Sequence, residues 1–364
     1  MSQTVPDRAH IARCLRQVTD PHTGQPLDSP QLKSFQIEQD RLHVVLELGY
    51  PARLFGPGLA TLVSQQLEVI HSGPIKVDVE WAVARQATAG QTAAMANVKN
   101  IIAVASGKGG VGKSTTAVNL ALAMAREGAR VGVLDADIYG PSQGMMLGIP
   151  SGTKPETREG KWFVPLQAHG VQAMSMAFIT TDKTPMVWRG PMVSGALQQL
   201  LGQTQWDDLD YLVVDMPPGT GDIQLTFAQK VPATGSVIVT TPQDIALLDA
   251  RKGIEMFRKV NIPVLGVVEN MALHTCSQCG HQEAIFGHGG GEKLARDYDV
   301  DILASLPLDM QIREQADGGA PTVISDPESD IALQYQVLAR RTMANIAALA
   351  ADGPAIPTFS VTED

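Results

Sequence analysis

One run of eight residues constrains this chain more than anything else in it. Gly107-Lys108-Gly109-Gly110-Val111-Gly112-Lys113-Ser114 satisfies G-x-x-x-x-G-K-[ST] in full. It follows an apolar, strand-like run and opens a helical stretch, Thr115 to Arg126. That is the context in which such a loop cradles phosphates. Glycines let backbone N–H groups curl around the anion, and the helix N-terminus adds partial positive charge. Lys113 is expected to reach the β- and γ-phosphates, and the Ser114 hydroxyl to sit on Mg²⁺.

Lys108 is an extra lysine that such a loop does not need. Folding back onto its own phosphates is awkward, but it can reach across a two-fold interface to a partner's nucleotide and supply charge in trans. A solvated surface lysine is the plain alternative. Two acidic sites complete the picture. Leu134-Asp135-Ala136-Asp137 and Val213-Val214-Asp215 each end an apolar run. Carboxylates at strand C-termini face the crevice where open α/β sheets bind ligands. Asp215 fits a role on magnesium through water, and Asp137 is placed to orient the attacking water. After Asp215 comes a glycine-rich turn through Asp222, the kind of segment that changes state with a γ-phosphate.

The rest of the domain fits that loop. Val- and Ile-rich runs at Ile101–Ser106, Arg130–Asp135, Tyr211–Asp215, Ser236–Thr240, Val264–Glu269 and Ile302–Leu306 are nearly unbroken, as strands covered on both faces are. Helical segments alternate with them, giving an α/β, mostly parallel, doubly wound sheet. Pro150 to Val187 reads as an irregular insertion, and Ile331 to Ala350 as a C-terminal helix. Upstream, residues 1–84 have a different texture: a helix around Ile11–Val18, a strand-like run Leu32–Ile37, a mostly buried strand Arg41–Leu48, a helix within Pro51–Ile70, and period-two alternation from Ile75 to Val83. This is a small α-β-β-α-β domain. We expect a linker at 85–97, the nucleotide domain at 98–352 and a tail at 353–364.

At 364 residues, two domains are expected. With 44% hydrophobic and 18% charged residues the chain is globular. Its 28 basic against 38 acidic residues, net −10, disfavour nucleic acid as a partner. Met1 to His10 lacks an apolar core of a secretory signal, and no apolar run spans a bilayer. A cytoplasmic protein without membrane attachment is expected.

Three cysteines do not make a disulfide scaffold. Cys14 stands alone and reads as a core residue. Cys276-Ser277-Gln278-Cys279 lets two thiolates converge on one metal, and thiolates select zinc, Cu(I) or iron–sulfur clusters. Two cysteines do not fill a tetrahedral site. His274 and His281 could complete a zinc knuckle, although their spacing is unusual for one. Two chains could instead each give two thiolates to a [4Fe–4S] cluster on a two-fold axis. A redox pair and two structural cysteines remain open.

Further motifs occur in order: Lys108 to Thr115, Asp135-Ala136-Asp137-Ile138-Tyr139-Gly140-Pro141-Ser142, Trp188-Arg189-Gly190-Pro191, Asp215-Met216-Pro217-Pro218-Gly219-Thr220-Gly221-Asp222, Thr241-Pro242-Gln243, Glu269-Asn270-Met271 and the cysteine pair. Together they resemble the Mrp/ApbC family of iron–sulfur cluster carriers, deviant Walker A ATPases related to MinD and the nitrogenase iron protein. The first domain, with Thr19-Asp20-Pro21 and Leu48-Gly49-Tyr50-Pro51, resembles the small iron–sulfur-assembly domain of many bacterial members. The resemblance implies a homodimer that binds ATP with Gly107 to Thr115, uses Lys108 in trans, Lys113 and Asp137 for slow hydrolysis, and holds Mg²⁺ with Ser114, Asp135 and Asp215. It implies that Asn270 reads the adenine. Cys276 and Cys279 of both chains would hold one labile [4Fe–4S] cluster, taken from donor or scaffold proteins and passed to apo-proteins. The cysteine-rich N-terminal extension of eukaryotic members is not seen here, so no second cluster is expected.

Other readings share the nucleotide switch. A MinD- or ParA-like positioning ATPase would use a basic amphipathic helix or a DNA-binding surface. The last helix here carries only Arg340 and Arg341, and neither reading explains the cysteine pair. An iron-protein-like electron-transfer ATPase takes its two cysteines from separate segments. A regulatory ATPase with zinc at the pair is the last alternative.

Overall fold

The computed structural model describes residues 6–86, 95–179 and 190–352. The small domain runs α1 (Arg8–Leu15), β1 (Leu32–Glu38), β2 (Arg41–Leu48), α2 (Gly56–Leu67), β3 (Ile75–Trp81). Asp7 starts α1 by accepting the His10 N–H at 2.8 Å, with the His10 ring returning to the Asp7 N–H. β2 pairs antiparallel with β1 and parallel with β3. It alternates where the sequence reading had it mostly buried. Leu42, Val44, Leu46 and Leu48 face the helices, while His43, Val45 and Glu47 lie half-buried on the other side.

The large domain is an eight-stranded sheet. Its spatial order is β15 (Ile302–Ser305), β12 (Val264–Glu269), β11 (Gly235–Thr240), β4 (Val98–Ala105), β10 (Leu209–Asp215), β5 (Val131–Asp135), β9 (Val171–Ser175), β8 (Leu166–Ala168). Every neighbouring pair is parallel except β8–β9. The six strands read from sequence are all present. The region read as an irregular insertion instead supplies β8 and β9 to the sheet edge, and two short ribbon strands, β6 (Thr157–Arg158) and β7 (Trp162–Phe163). β9 is buried along its length although it contains Gln172 and Ser175. The Gln172 amide is satisfied by the backbone of Asp207, donating at 2.9 Å and accepting at 3.0 Å, so polarity there does not signal a loop.

Helices α3 (Lys113–Arg126), α5 (Gly190–Gln203), α6 (Asp222–Lys230), α7 (Asp244–Lys259), α8 (Gly290–Tyr298) and α11 (Asp330–Asp352) accompany the sheet, with short α4 (Gln143–Met146), α9 (Met310–Asp317) and α10 (Thr322–Ser325). α11 packs along α3 and β15. Its own Ala332, Tyr335, Leu338, Ala339, Met343 and Ile346 are buried. It is therefore a core helix. No helix among the described residues is long and apolar enough to cross a membrane.

The small domain seats on the far end of α3. Glu127, fully buried, accepts from the Arg340 Nε at 2.6 Å and from the Leu54 N–H at 3.0 Å, and its carbonyl accepts the Arg53 N–H. Removing one partner of a pair this buried costs on the order of 3–5 kcal/mol. The Arg340 guanidinium lies 5.3 Å from the Phe55 ring, which stacks on Tyr50. His22 meets the edge of Phe55, and burial with Arg340 nearby pushes its pKa down to about 4. Gly128 lies against Trp81, where a Cβ would come within 2.8 Å of the indole. One hydrophobic core runs continuously from Ile11 to Ile346 through both domains. Within the linker reading, residues 87–94 lie outside the described residues. The flanking Arg85 donates to the carbonyls of Val98 and Ala96, and Met95 is buried. The tail at 353–364 also lies outside them.

Candidate functional site

The phosphate loop leaves the end of β4 and enters α3 at Lys113. Gly110 and Gly112 sit at φ +82° and +81°, a region that favours glycine. Gly112 has a second reason: a Cβ there would fall 2.1 Å from Asn270 Nδ2. At Gly107 a Cβ would meet the Asp249 backbone at 2.3 Å, so α7 closes directly on the loop. Gly109 has open space around it. Asn270, placed by the end of β12, is buried and donates from Nδ2 to the Val111 carbonyl at 2.9 Å. The loop, α3 and Asn270 thus come together at one end of the sheet. Thr115 lies half-buried in the first turn of α3. Lys108 is half-buried, and its ammonium has no carboxylate partner among the described residues.

Behind the loop three aspartates converge. Asp135 and Asp215 are register partners at the ends of β5 and β10, both with no solvent exposure. Lys113 Nζ forms an ion pair with Asp215 Oδ1, lies 3.1 Å from Ser114 Oγ, and is 3.9 Å from Asp137 Oδ2. Asp135 accepts N–H bonds from Ser142 at 2.9 Å, Gln143 at 3.0 Å and Asp137 at 3.2 Å. Even so, burial and the neighbouring Asp215 raise its pKa. Burial also raises that of Asp137, against the pull of Lys113. Three carboxylates answered by one ammonium leave a surplus of negative charge with oxygen donors. That is the chemistry of a hard divalent cation such as Mg²⁺. Among the described residues no three carboxylate, imidazole or thiol groups converge tightly enough to cage a metal. The oxygen donors fit a magnesium ion, which Ser114, Asp135 and Asp215 would hold. The turn after Asp215 is tied to the loop by the Gly219 N–H on the Ser106 carbonyl, 2.9 Å, with Gly219 at φ +110°. Within the Trp188-Arg189-Gly190-Pro191 motif, Trp188 and Arg189 lie outside the described residues.

Sequence reasoning missed Gln143. It is 1% exposed, and its Nε2 donates to Asp215 Oδ2 at 2.8 Å and to the Ser114 carbonyl at 3.0 Å. A lone glutamine six residues past Asp137 carries no spacing signal; only the turn between them brings it inward.

The cysteine pair sits at the tip of a small hairpin, β13 (His274–Thr275) with β14 (Gln282–Glu283). The Cys276 N–H donates to the His281 carbonyl and the Gly280 N–H to the Cys276 carbonyl, both 2.9 Å, with Gly280 at φ +71°. The N–H groups of Gln278 and Cys279 turn toward the Cys276 sulfur and lower its pKa. Such a turn presents both thiols outward: Cys276 is half-buried and Cys279 exposed. His274 uses Nδ1 on the Leu308 carbonyl at 3.0 Å. No third thiol, imidazole or carboxylate joins the pair among the described residues. Cys14 is buried in the small domain, which raises its pKa, as a core residue's would be.

Known proteins resemble this chain. Residues 97–343 match the family described as ParA, NUBPL iron-transfer P-loop NTPase. The chain belongs to that family. Residues 8–81 match a second one, described as iron–sulfur cluster assembly protein. The "Iron-sulfur cluster carrier protein" of Pseudomonas fragi is 74% identical over 264 residues, 72% of this chain and 92% of that relative. Among solved structures, a nucleotide-binding protein from Archaeoglobus fulgidus in complex with ADP superposes with TM-score 0.57 at 36% identity. It covers 65% of this chain and 91% of that one. The Pyrococcus furiosus cell division ATPase MinD, at 22% identity and TM-score 0.51, covers 66% and 97% and shares the fold. The expected family and the mostly parallel α/β fold are both borne out.

Proposed function

We propose that this iron-transfer P-loop NTPase is an ATP-hydrolysing carrier that builds a labile [4Fe–4S] cluster between two copies of itself and delivers it to apo-proteins. The observation that carries the reading is the outward-facing pair Cys276 and Cys279 on the same domain as a complete phosphate loop. A pair of thiols is half of a four-thiolate site, and a two-fold axis through the hairpins supplies the other half. The carrier names of the relatives support the cargo, and the ADP complex of the Archaeoglobus protein supports the nucleotide.

In this reading the phosphates lie on the backbone of Gly107 to Ser114, with Thr115 and the dipole of α3 behind them. Lys113 is shared between the phosphates and Asp215. Asp137 holds the attacking water, Lys108 reaches the partner's nucleotide, and Asn270 lines the adenine side. Magnesium, when bound, neutralises phosphate charge as it develops. The turn from Asp215 to Asp222, tied to Ser106, passes the nucleotide state toward the shared face, and hydrolysis is slow because it resets a carrier. The small domain, residues 1–84, joined through 85–97 to the nucleotide domain at 98–352, meets donors or clients. The acidic net charge and the packed last helix fit a cytoplasmic protein that uses neither nucleic acid nor membrane.

The test is transfer itself. Reconstituted protein, mixed anaerobically with an apo-form of a [4Fe–4S] enzyme, is expected to restore that enzyme's activity faster than free iron and sulfide do in the presence of a chelator. Restoration no faster than from free iron and sulfide would remove the carrier role.

A further inference from the structure

Gln143 is buried at the centre of the acidic cluster, and its amide orientation is fixed by its partners. Nε2 faces two acceptors, Asp215 Oδ2 at 2.8 Å and the Ser114 carbonyl at 3.0 Å. Flipping the amide would set its oxygen against both, so the nitrogen belongs there and both its hydrogens are used. Its backbone N–H donates to Asp135 Oδ2 at 3.0 Å, beside that of Ser142 at 2.9 Å. One residue therefore ties together Asp135, Asp215 and the Ser114 main chain. Its remaining atom, Oε1, is buried and has no hydrogen-bond partner among the described residues. A buried acceptor without a donor is a costly arrangement unless a donor belongs beside it. Lys113 is committed to Asp215 and Ser114. It is the Nε2 side of the amide that faces Ser114 and Asp215, the residues that would hold the metal.

We propose that Gln143 is a positioning residue for magnesium in this site: it holds the Asp215 carboxylate and the Ser114 main chain in the arrangement that would receive the metal. The proposal rests on the magnesium–nucleotide reading above. It makes α4, which Gln143 opens, part of the metal site and not merely the end of the turn that carries Asp137. Groups that orient the inner shell of a metal commonly set its affinity by about 10–100-fold.

The experiment is calorimetric titration of ADP into wild-type protein, Gln143→Leu and Gln143→Met, each with Mg²⁺ and with a chelator in its place, alongside thermal unfolding of each. Both substitutions keep the volume and remove the amide; the unbranched Met is the gentler one. Expected is a wild-type gain in ADP affinity on adding Mg²⁺ that shrinks by about 10-fold or more in both variants. ADP affinity without Mg²⁺ is the reference within each protein, so the effect is read as the ratio of the two affinities and not from either alone. A full magnesium gain in a variant that merely melts earlier would show that Gln143 only packs α4, and would overturn the proposal. No magnesium gain in wild type would overturn the site reading itself, and this proposal with it.

Discussion

Alanine at Cys276 or at Cys279 is expected to leave a folded protein that retains neither iron nor acid-labile sulfide after anaerobic reconstitution and desalting. In a two-fold assembly one substitution removes two of four thiolates, because both copies carry it. The remaining pair lies on opposite chains with nothing else to complete the site: His274 is turned onto the Leu308 carbonyl, and no other ligand approaches among the described residues. The fold should not notice. Cys279 is exposed and Cys276 half-buried at a hairpin tip, and substitutions of that kind usually shift stability by less than about 0.5 kcal/mol. Iron and sulfide assays with a melting curve check both halves. Variants that load iron and sulfide like wild type would exclude the pair as the cluster site.

The second large effect belongs to Lys113. Lys113→Ala is expected to lower ATP turnover by about 10³-fold or more, the scale of removing a cation from a phosphoryl-transfer site. It should also destabilise the protein without any nucleotide present. Lys113 is 6% exposed and is the only cation within reach of Asp215, Asp137 and buried Asp135 among the described residues. Taking one partner from a buried ion pair costs on the order of 3–5 kcal/mol. Two outcomes separate the roles. Lost turnover with unchanged unfolding in denaturant would mean the carboxylates share a proton in place of the lysine. Lost stability with turnover intact would remove Lys113 from the chemistry.

The chemistry-bearing parts of this fold were legible because they are local. Strands β4, β5, β10, β11, β12 and β15 are apolar runs covered on both faces, and the phosphate loop is eight consecutive residues. The cysteine hairpin announces itself by a two-residue spacing. What escaped depends on partners far away in the chain. β9 looks like loop until Asp207, 35 residues on, satisfies Gln172. The Asp135–Asp215 pairing follows from strand register, which spacing does not encode. Glu127 and Arg340 are 213 residues apart, and neither stands out from its neighbours in the sequence. Gln143 is hidden for the same reason, and its meaning comes only from the carboxylate and carbonyl it meets.

The proposed cluster is shared between two copies of the chain. Its most direct measurement is iron and acid-labile sulfide per chain, with mass by light scattering, on anaerobically reconstituted wild-type protein. A dimer carrying four irons and four sulfides, two of each per chain, is expected, because each copy gives two of four thiolates. A monomer that holds its full complement, or a chain that takes up one zinc and no sulfide, would contradict it.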